Sequence, residues 1–332
     1  MNDRILIHHG NGGKYTQDLI ASVFLKNYNN PFLAQDTDAA TIQNINKDLA
    51  FTTDSYVIKP PFFPGGDIGK LSVYGTCNDL AVSYAKPLYL SAGFIIEEGF
   101  LLQDLEKISQ SMADAAQQAK IQIITGDTKV VNKGECDQIF INTAGIGIKN
   151  KQKNRLDEIK SGDKIIINGN IGEHGMAVFS SRNDFPVETN IQSDCANLFP
   201  LIDSLSCFEI KFMRDVTRGG LATILNEITQ KFQTGIIIDE KKVPVSQAVN
   251  SICDLFGFDP LYLANEGKVL LVVPENESNR ILDRMKKNPL GKNSRIIGEI
   301  TDHHLHKVIL NTAIGGNRII DTLIGDQLPR IC

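Results

Sequence analysis

Four aspartates stand where the chain passes from an apolar run into small polar residues: Asp38 in DTDAA, Asp54 in TTDSY, Asp79 in TCNDLA and Asp127 in ITGDTK. Carboxylates delivered from several strand ends are hard oxygen donors. They suit one or two Mg2+ ions that keep coordination sites open for nucleotide phosphates. Each acid taken singly reads equally as a turn residue or a helix cap. The occurrence of four in one half of the chain is what points to metal.

Glycines supply the other half of a phosphate site. HHGNGGK (8–14) clusters Gly10, Gly12 and Gly13 ahead of Lys14, so backbone N–H groups there can approach an anion without interference from Cβ. The segment is neither a Walker loop nor a dinucleotide fingerprint, because Tyr15 stands where the third glycine is needed. An irregular N-terminus is its plain alternative. In RDVTRGGLATIL, Gly219 and Gly220 open a helical pattern beside Arg218, and GNIGEHG (169–175) opens another. Amides at such helix starts suit an anion, although ordinary helix starts look the same.

Two further residues invite chemistry. Glu266, in YLANEGKVLLVV, sits on a glycine turn just before an apolar strand, where partial desolvation would suit a general base. The alternative is a surface turn acid. Cys332 ends the chain after Gly325 and Pro329, as a thiol on a swinging arm would, or as an incidental residue on a frayed end.

These residues need strands and helices to place them. LAFTTDSYVI, PLYLSAGFII and QIFINTAGIGI are rich in β-branched and aromatic residues and predict strands, as does the run IQIIT (121–125). In 105–119, Leu105, Ile108, Met112, Ala115 and Ala119 recur at helical spacing. KPPFFPGGDIGK (59–70) predicts a long ordered loop. The basic, apolar-poor stretch 149–163 predicts a domain boundary. Beyond it DKIIINGN, TGIIID, KVLLVVP, SRIIGEI and HKVILN predict strands, with helices at GLATILNEITQK and ESNRILDRMKKN. The expected organisation is α+β in two domains: a Gly-rich segment 1–35, a first domain 36–150, a second domain 160–322 and a tail 323–332.

Composition narrows the function. A chain of 332 residues with 42% apolar and 22% charged residues is ordinary globular protein, which excludes disorder and fibrous folds. A net charge of −5, with no basic cluster on a candidate site, argues against nucleic acid as the main partner. No apolar run reaches the ~18 residues that cross a bilayer, and no signal peptide is legible, so no membrane is expected and the expected compartment is the cytoplasm. The six cysteines lack any C-x-x-C spacing, which disfavours disulfide scaffolds and zinc sites. The five other than Cys332 read as small buried hydrophobes.

Taken together, HGNGGK, TTDSYVI, FFPGGDIGKL, NDLAVS, GFIIEEG, TGDTKVV, INTAG, GEHG, DVTRGG, ANEGK, PLGK and the terminal PRIC resemble the HypE family of hydrogenase maturation proteins, end to end. Most of these motifs are shared with the wider ATP-binding group of aminoimidazole ribonucleotide synthetase, selenophosphate synthetase and thiamine-monophosphate kinase. The PRIC ending is the specific part.

The resemblance implies two α/β domains of the aminoimidazole ribonucleotide synthetase type. It also implies an ATP-dependent carbamoyl dehydratase, with ATP and Mg2+ as cofactors, that turns a thiocarboxamide on the C-terminal cysteine into a thiocyanate, the source of the cyanide ligands of [NiFe]-hydrogenase. Carried over, Cys332 is the carrier, Glu266 the base and Lys129 a catalytic cation. Asp38, Asp54, Asp79 and Asp127 become metal ligands. Gly10, Gly12, Gly13, Lys14, Asn78, Thr128, Arg218, Gly219 and Gly220 join Asp54, Asp79 and Asp127 around the nucleotide. The implied partners are the carbamoyltransferase HypF, the HypC–HypD complex and a second copy packed through the first domain's sheet. Thr37 stands where many relatives carry a second aspartate, which leaves one metal ion or two open. Two other readings remain: an enzyme of the wider group acting on a free substrate, and a carrier without ATP turnover.

Overall fold

A computed structural model describes residues 4–10, 14–33, 46–149, 159–182 and 189–322. The chain forms two compact units that divide at residue 150.

In the first unit a 3-10 turn (Ile7–Gly10) is followed by α1 (Lys14–Leu19), a π-helical stretch (Ile20–Leu25) and α2 (Lys26–Tyr28). Then come β1 (Leu49–Tyr56), β2 (Phe62–Phe63), β3 (Gly66–Asp67), α3 (Ile68–Val82), β4 (Ala85–Glu97), α4 (Leu102–Ala119), β5 (Gln122–Val131) and β6 (Ile139–Lys149). Four of the strands make a sheet in the order β1-β6-β4-β5. All its pairs are antiparallel except β4 with β5, and α4 is the crossover that a parallel pair requires. As the spacing predicts, α4 buries Leu105, Ile108, Met112 and Ala115, while Ala119 is only half-buried.

One face of this sheet is covered. Tyr56, Leu90, Phe94, Ile141 and Thr143 are buried on it, and Phe24 of the π-helical stretch stacks on Phe94 with ring centroids 4.7 Å apart. Period-two alternation turns Leu49, Phe51 and Ile95 the other way, and Phe51 is 70% exposed.

The expected loop 59–70 is ordered differently. Its centre is a two-strand hairpin, β2 with β3, and its last residues already belong to α3. Asp67 is the N-cap: Oδ1 accepts from the N–H of Gly69 at 2.7 Å and of Lys70 at 3.1 Å, and Oδ2 accepts from Ser111 Oγ at 2.6 Å. A Cβ on Gly69 would overlap the Ile108 carbonyl, so glycine is what lets α3 lie against α4. Residues 68–78 of α3 are buried with the exception of Lys70, so no polar stripe interrupts its apolar residues and periodicity has little to read.

The second unit contains β7 (Lys164–Ile167), α5 (Glu173–Ser180), α6 (Phe199–Asp203), β8 (Phe212–Asp215), α7 (Gly220–Phe232), β9 (Gly235–Asp239) and α8 (Gln247–Phe256). It continues with β10 (Val269–Val273), α9 (Glu275–Lys286), β11 (Arg295–Thr301), β12 (Val308–Asn311) and β13 (Asn317–Ile320). The seven strands form one sheet in the order β13-β12-β9-β11-β7-β10-β8. Ile165–Ile167 and Val269–Val273 are completely buried, which explains why these central strands read as unbroken apolar runs. Before β7, the carboxylate of Asp163 takes both of its oxygens to Lys211 Nζ at 2.9 and 2.8 Å, with the side chains 1% and 4% exposed.

Candidate active site

Glycines set the entrances of two helices in the second unit. Gly172 (φ 84°) is the N-cap of α5, and Gly219 (φ 75°) is the N-cap of α7, followed by Gly220 (φ 63°). A Cβ on Gly220 would lie 2.5 Å from the Leu261 carbonyl oxygen and 2.7 Å from that of Leu263. Gly220→Ala therefore combines a left-handed backbone with overlap. It is expected to cost well over about 1 kcal/mol, read as a lowered midpoint in urea. Arg218 directly precedes these glycines, so the arrangement offers a cation and helix amides to an anion.

The turn Ala264–Lys268 lies beside both entrances. Asn265 Oδ1 accepts from the Gly172 N–H at 2.7 Å, and the Asn265 N–H donates to the Val216 carbonyl. Glu266 follows and is 4% exposed, so it is a buried acid rather than a surface turn residue. Asn168, just past β7, closes the far side: its Nδ2 donates to the carbonyls of Gly267 and Leu290, and its Oδ1 accepts from the Val269 N–H at 2.8 Å.

An irregular strap, residues 189–198, crosses the turn. Asp194 Oδ1 accepts from the Glu266 N–H at 3.0 Å, and Oδ2 accepts from the Gly267 N–H at 3.1 Å and Lys268 Nζ at 2.8 Å. Lys268 also lies 3.7 Å from Glu173 at the start of α5. His174 is fully buried, with Nδ1 2.8 Å from Ser193 Oγ. Burial pushes the Asp194 carboxyl up, but the Lys268 ammonium, His174 and the Glu266 amide outweigh it and hold it below the usual carboxylate range. A lowered acid stabilises the fold fully at neutral pH and loses that contribution as pH falls through its folded value. The stability difference between the protein and its Asp194→Asn variant is thus expected to be flat from neutral pH to about 4 and to shrink below it.

In the first unit the candidate residues fall into two groups. Asp79, on the outer side of α3, accepts from Thr52 Oγ1 at 3.0 Å, and Asp54 lies two residues further along the same face of β1. Two residues span about 7 Å of strand, so Asp54 and Asp79 are neighbours. Asn78, beside them on α3, is buried. Asp127 is on β5 at the opposite edge: Ser55, Asn142, Gly93 and Asp127 form one row across the four strands. Three strand spacings, about 14 Å, separate that edge from β1. Asp127 and Lys129 pair with Gly93 and the exposed Ile95, so they share the uncovered face. Thr128 points the other way and, with Phe24, Tyr28, Phe94 and Ile123, borders a cavity of about 170 Å3.

One chain thus does not gather Asp54, Asp79 and Asp127 at one point. Among the described residues no group of three or more His, Cys, Asp or Glu could by itself hold a metal ion. The Asp54–Asp79 neighbourhood nonetheless fits Mg2+, which commonly takes one or two carboxylates and completes its shell with phosphate oxygens and water. Gly10 ends the first 3-10 turn and Lys14 begins α1. Asp38, Gly12, Gly13 and Cys332 lie outside the described residues. The sequence reading missed Asp194, His174, Asn168 and Lys268. Their only local signal is polar residues flanking glycine turns, and nothing local ties residue 194 to residue 266.

Comparison with known proteins gives a consistent result. Residues 36–149 match the N-terminal domain, and residues 160–311 the C-terminal domain, of the AIR synthase related proteins. The carbamoyl dehydratase HypE of Bradyrhizobium diazoefficiens is 44% identical over 100% of this chain and 97% of its own. A crystal structure of hydrogenase maturation protein HypE in complex with ATP superposes with a TM-score of 0.93 at 41% identity, covering 98% of this chain and 99% of that one. The HypE chain matched in a HypE–HypF complex gives 0.79 at 45% identity, covering 94% of this chain and 100% of that one. With both domains matched and 44% identity over the whole chain, this chain belongs to the HypE family of hydrogenase maturation proteins.

Proposed function

We propose that the chain is an ATP-dependent carbamoyl dehydratase that carries its substrate on its own C-terminal thiol. The observation that carries this reading is Glu266, buried and fixed between two glycine helix entrances, in a chain that aligns over its whole length with carbamoyl dehydratases.

In the proposed sequence Cys332 holds a carbamoyl group as a thiocarboxamide. The amide oxygen attacks the γ-phosphorus of ATP and ADP departs. Glu266 then takes one of the two N–H protons, the C–O bond breaks, and phosphate leaves with the oxygen and carries off the second proton, giving a thiocyanate. Asp54 and Asp79 would hold Mg2+, with Asp38 and Asp127 as the further proposed ligands, and the ion would supply charge neutralisation for the phosphates. Lys129 and Arg218 face the phosphates, and Gly219 and Gly220 offer amides without a Cβ in the way. Asn78, Thr128 and the segment Gly10–Lys14 line the nucleotide.

The same reading assigns residues 1–35 to a Gly-rich N-terminal segment, 36–150 to the ATP-binding domain, 160–322 to the second domain and 323–332 to the tail that ends in the carrier cysteine. HypF, which a family member binds in a solved complex, is the proposed carbamoyl donor, and HypC–HypD the acceptor of cyanide. The exposed Phe51, Leu49 and Ile95 support a homodimer through the first unit's sheet. No helix among the described residues is long and apolar enough to cross a membrane, and the proposed compartment is the cytoplasm.

The test is peptide-resolved mass spectrometry after incubation with HypF, carbamoyl phosphate and Mg-ATP. A C-terminal adduct of about +43 Da should convert to about +25 Da only when ATP is hydrolysed, as acyl transfer followed by loss of water requires. ATP hydrolysis with an unmodified tail would favour an enzyme acting on a free substrate.

A further inference from the structure

Asp194 belongs to neither the nucleotide residues nor the carrier, yet it is the acid most directly bonded to the NEGK turn. Its two oxygens take the consecutive N–H groups of Glu266 and Gly267, and one of them also takes Lys268 Nζ. Three successive residues are therefore tied to one carboxylate. A Cβ on Gly267 would overlap the Asp194 carbonyl, so the strap's backbone lies directly on the turn. The strap is itself anchored, because Ser193 Oγ accepts from the Cys195 N–H at 3.1 Å and lies within 2.8 Å of His174 Nδ1.

On the other side Asn168 grips Gly267 and Val269. Asp194 Oδ1 bonds the backbone of Glu266 itself. We propose that Asp194 is a positioning residue. It fixes the backbone at Glu266 so that the proposed base meets the N–H of the thiocarboxamide in one geometry. The Lys268 ammonium keeps the carboxylate ionised and aimed at both amides. This inference rests on the assignment of Glu266 as base.

The expected kinetic signature follows from geometry. Asp194→Asn keeps the size of the side chain, but its NH2 group would face the N–H of Gly267 and Lys268 Nζ, or, flipped, the N–H of Glu266. One grip is lost and the turn shifts. Displacement of a catalytic group by an ångström costs on the order of 10²-fold in rate. The hydrogen bonds of Asp194 go to the turn and not to Arg218, Gly219 or Gly220, so ATP binding should move far less than the rate.

The experiment uses the full chain, carbamoylated with HypF and carbamoyl phosphate, and follows conversion of the adduct in single turnovers against ATP concentration. For Asp194→Asn, the rate at saturating ATP should fall about 10²-fold, with the half-saturating ATP concentration within about twofold of the parent. The double variant Asp194→Asn/Glu266→Gln should be no slower than Glu266→Gln alone, because a residue that acts only through Glu266 has nothing left to position. An Asp194→Asn rate within threefold of the parent, or losses that multiply in the double variant, overturns the proposal while leaving Glu266 as base. If Glu266→Gln converts the adduct at the parent rate, the base assignment fails and the proposal with it. Should Asp194→Asn fail to fold, Asp194→Glu reads the same position with the charge retained. A slow rate with unchanged ATP dependence supports positioning, and a parent rate overturns it.

Discussion

Cys332→Ala is expected to remove both C-terminal adducts completely while leaving the affinity for ATP unchanged, as read by peptide-resolved mass spectrometry and calorimetry. A thiolate is needed to accept a carbamoyl group, and the other cysteines of the chain are poor substitutes. Burial pushes the Cys77 and Cys253 thiols up to about 12, and Cys136 to about 11 with help from the nearby acid Glu97. At neutral pH their thiolate fractions are below about one in a thousand. The expectation of five buried cysteines fails at Cys207, which is exposed, and at Cys136, which is half-buried; Cys207 provides the internal comparison. It should stay unmodified in both proteins, because general acylation of surface thiols would label it as readily as the tail. Adducts on Cys207 that persist in the variant would mean the reaction is not directed to the C-terminus.

The largest expected effect on stability lies at the other end of the central sheet. Asp163→Ala leaves the Lys211 ammonium buried without its bidentate carboxylate. Breaking a buried pair from one side costs about 3–5 kcal/mol. Against a typical total of about 5–15 kcal/mol, that is enough to unfold a substantial share of molecules near physiological temperature. The comparison that isolates the pair is Asp163→Leu with Lys211→Met, which replaces both charges with apolar groups. It should regain most of the lost stability. Urea unfolding followed by far-UV circular dichroism checks both. Equal losses in the single and double variants would show that packing, and not an orphaned charge, sets the cost.

Much of the scaffold was written locally. Ile165–Ile167 and Val269–Val273 are unbroken apolar runs because both of their faces are covered. The spacing of Leu105, Ile108 and Met112 located α4 because one side of that helix meets solvent. Helix α3 escaped the same test because it is buried nearly all round, and the two-residue strands β2 and β3 are too short to carry a pattern. In the site, Gly219, Gly220 and Glu266 announced themselves through turn chemistry and their neighbours. Asp194 did not. Its role depends on a contact 72 residues away along the chain, which no local window contains. Likewise, the shared position of Asp127 and Lys129 on the uncovered face follows from strand register, although their spacing of two hinted at it.

The order of strands in the second sheet also sets a timetable for the molecule's birth. β10, which carries the NEGK turn at its start, pairs with β7 about a hundred residues earlier and with β8, while β11 must arrive before β7 is flanked on its other side. Such long-range pairings form late, because the loops they close are expensive in entropy. On a ribosome delivering the chain from its N-terminus, Asn168 waits for Gly267, Val269 and Leu290 before its side chain is satisfied. About forty residues of the sequence, Cys332 among them, follow Leu290. In the proposed reading the Cys332 thiol is thus made after every partner of Asn168, so the turn that holds Glu266 has the means to close before the thiol can be loaded.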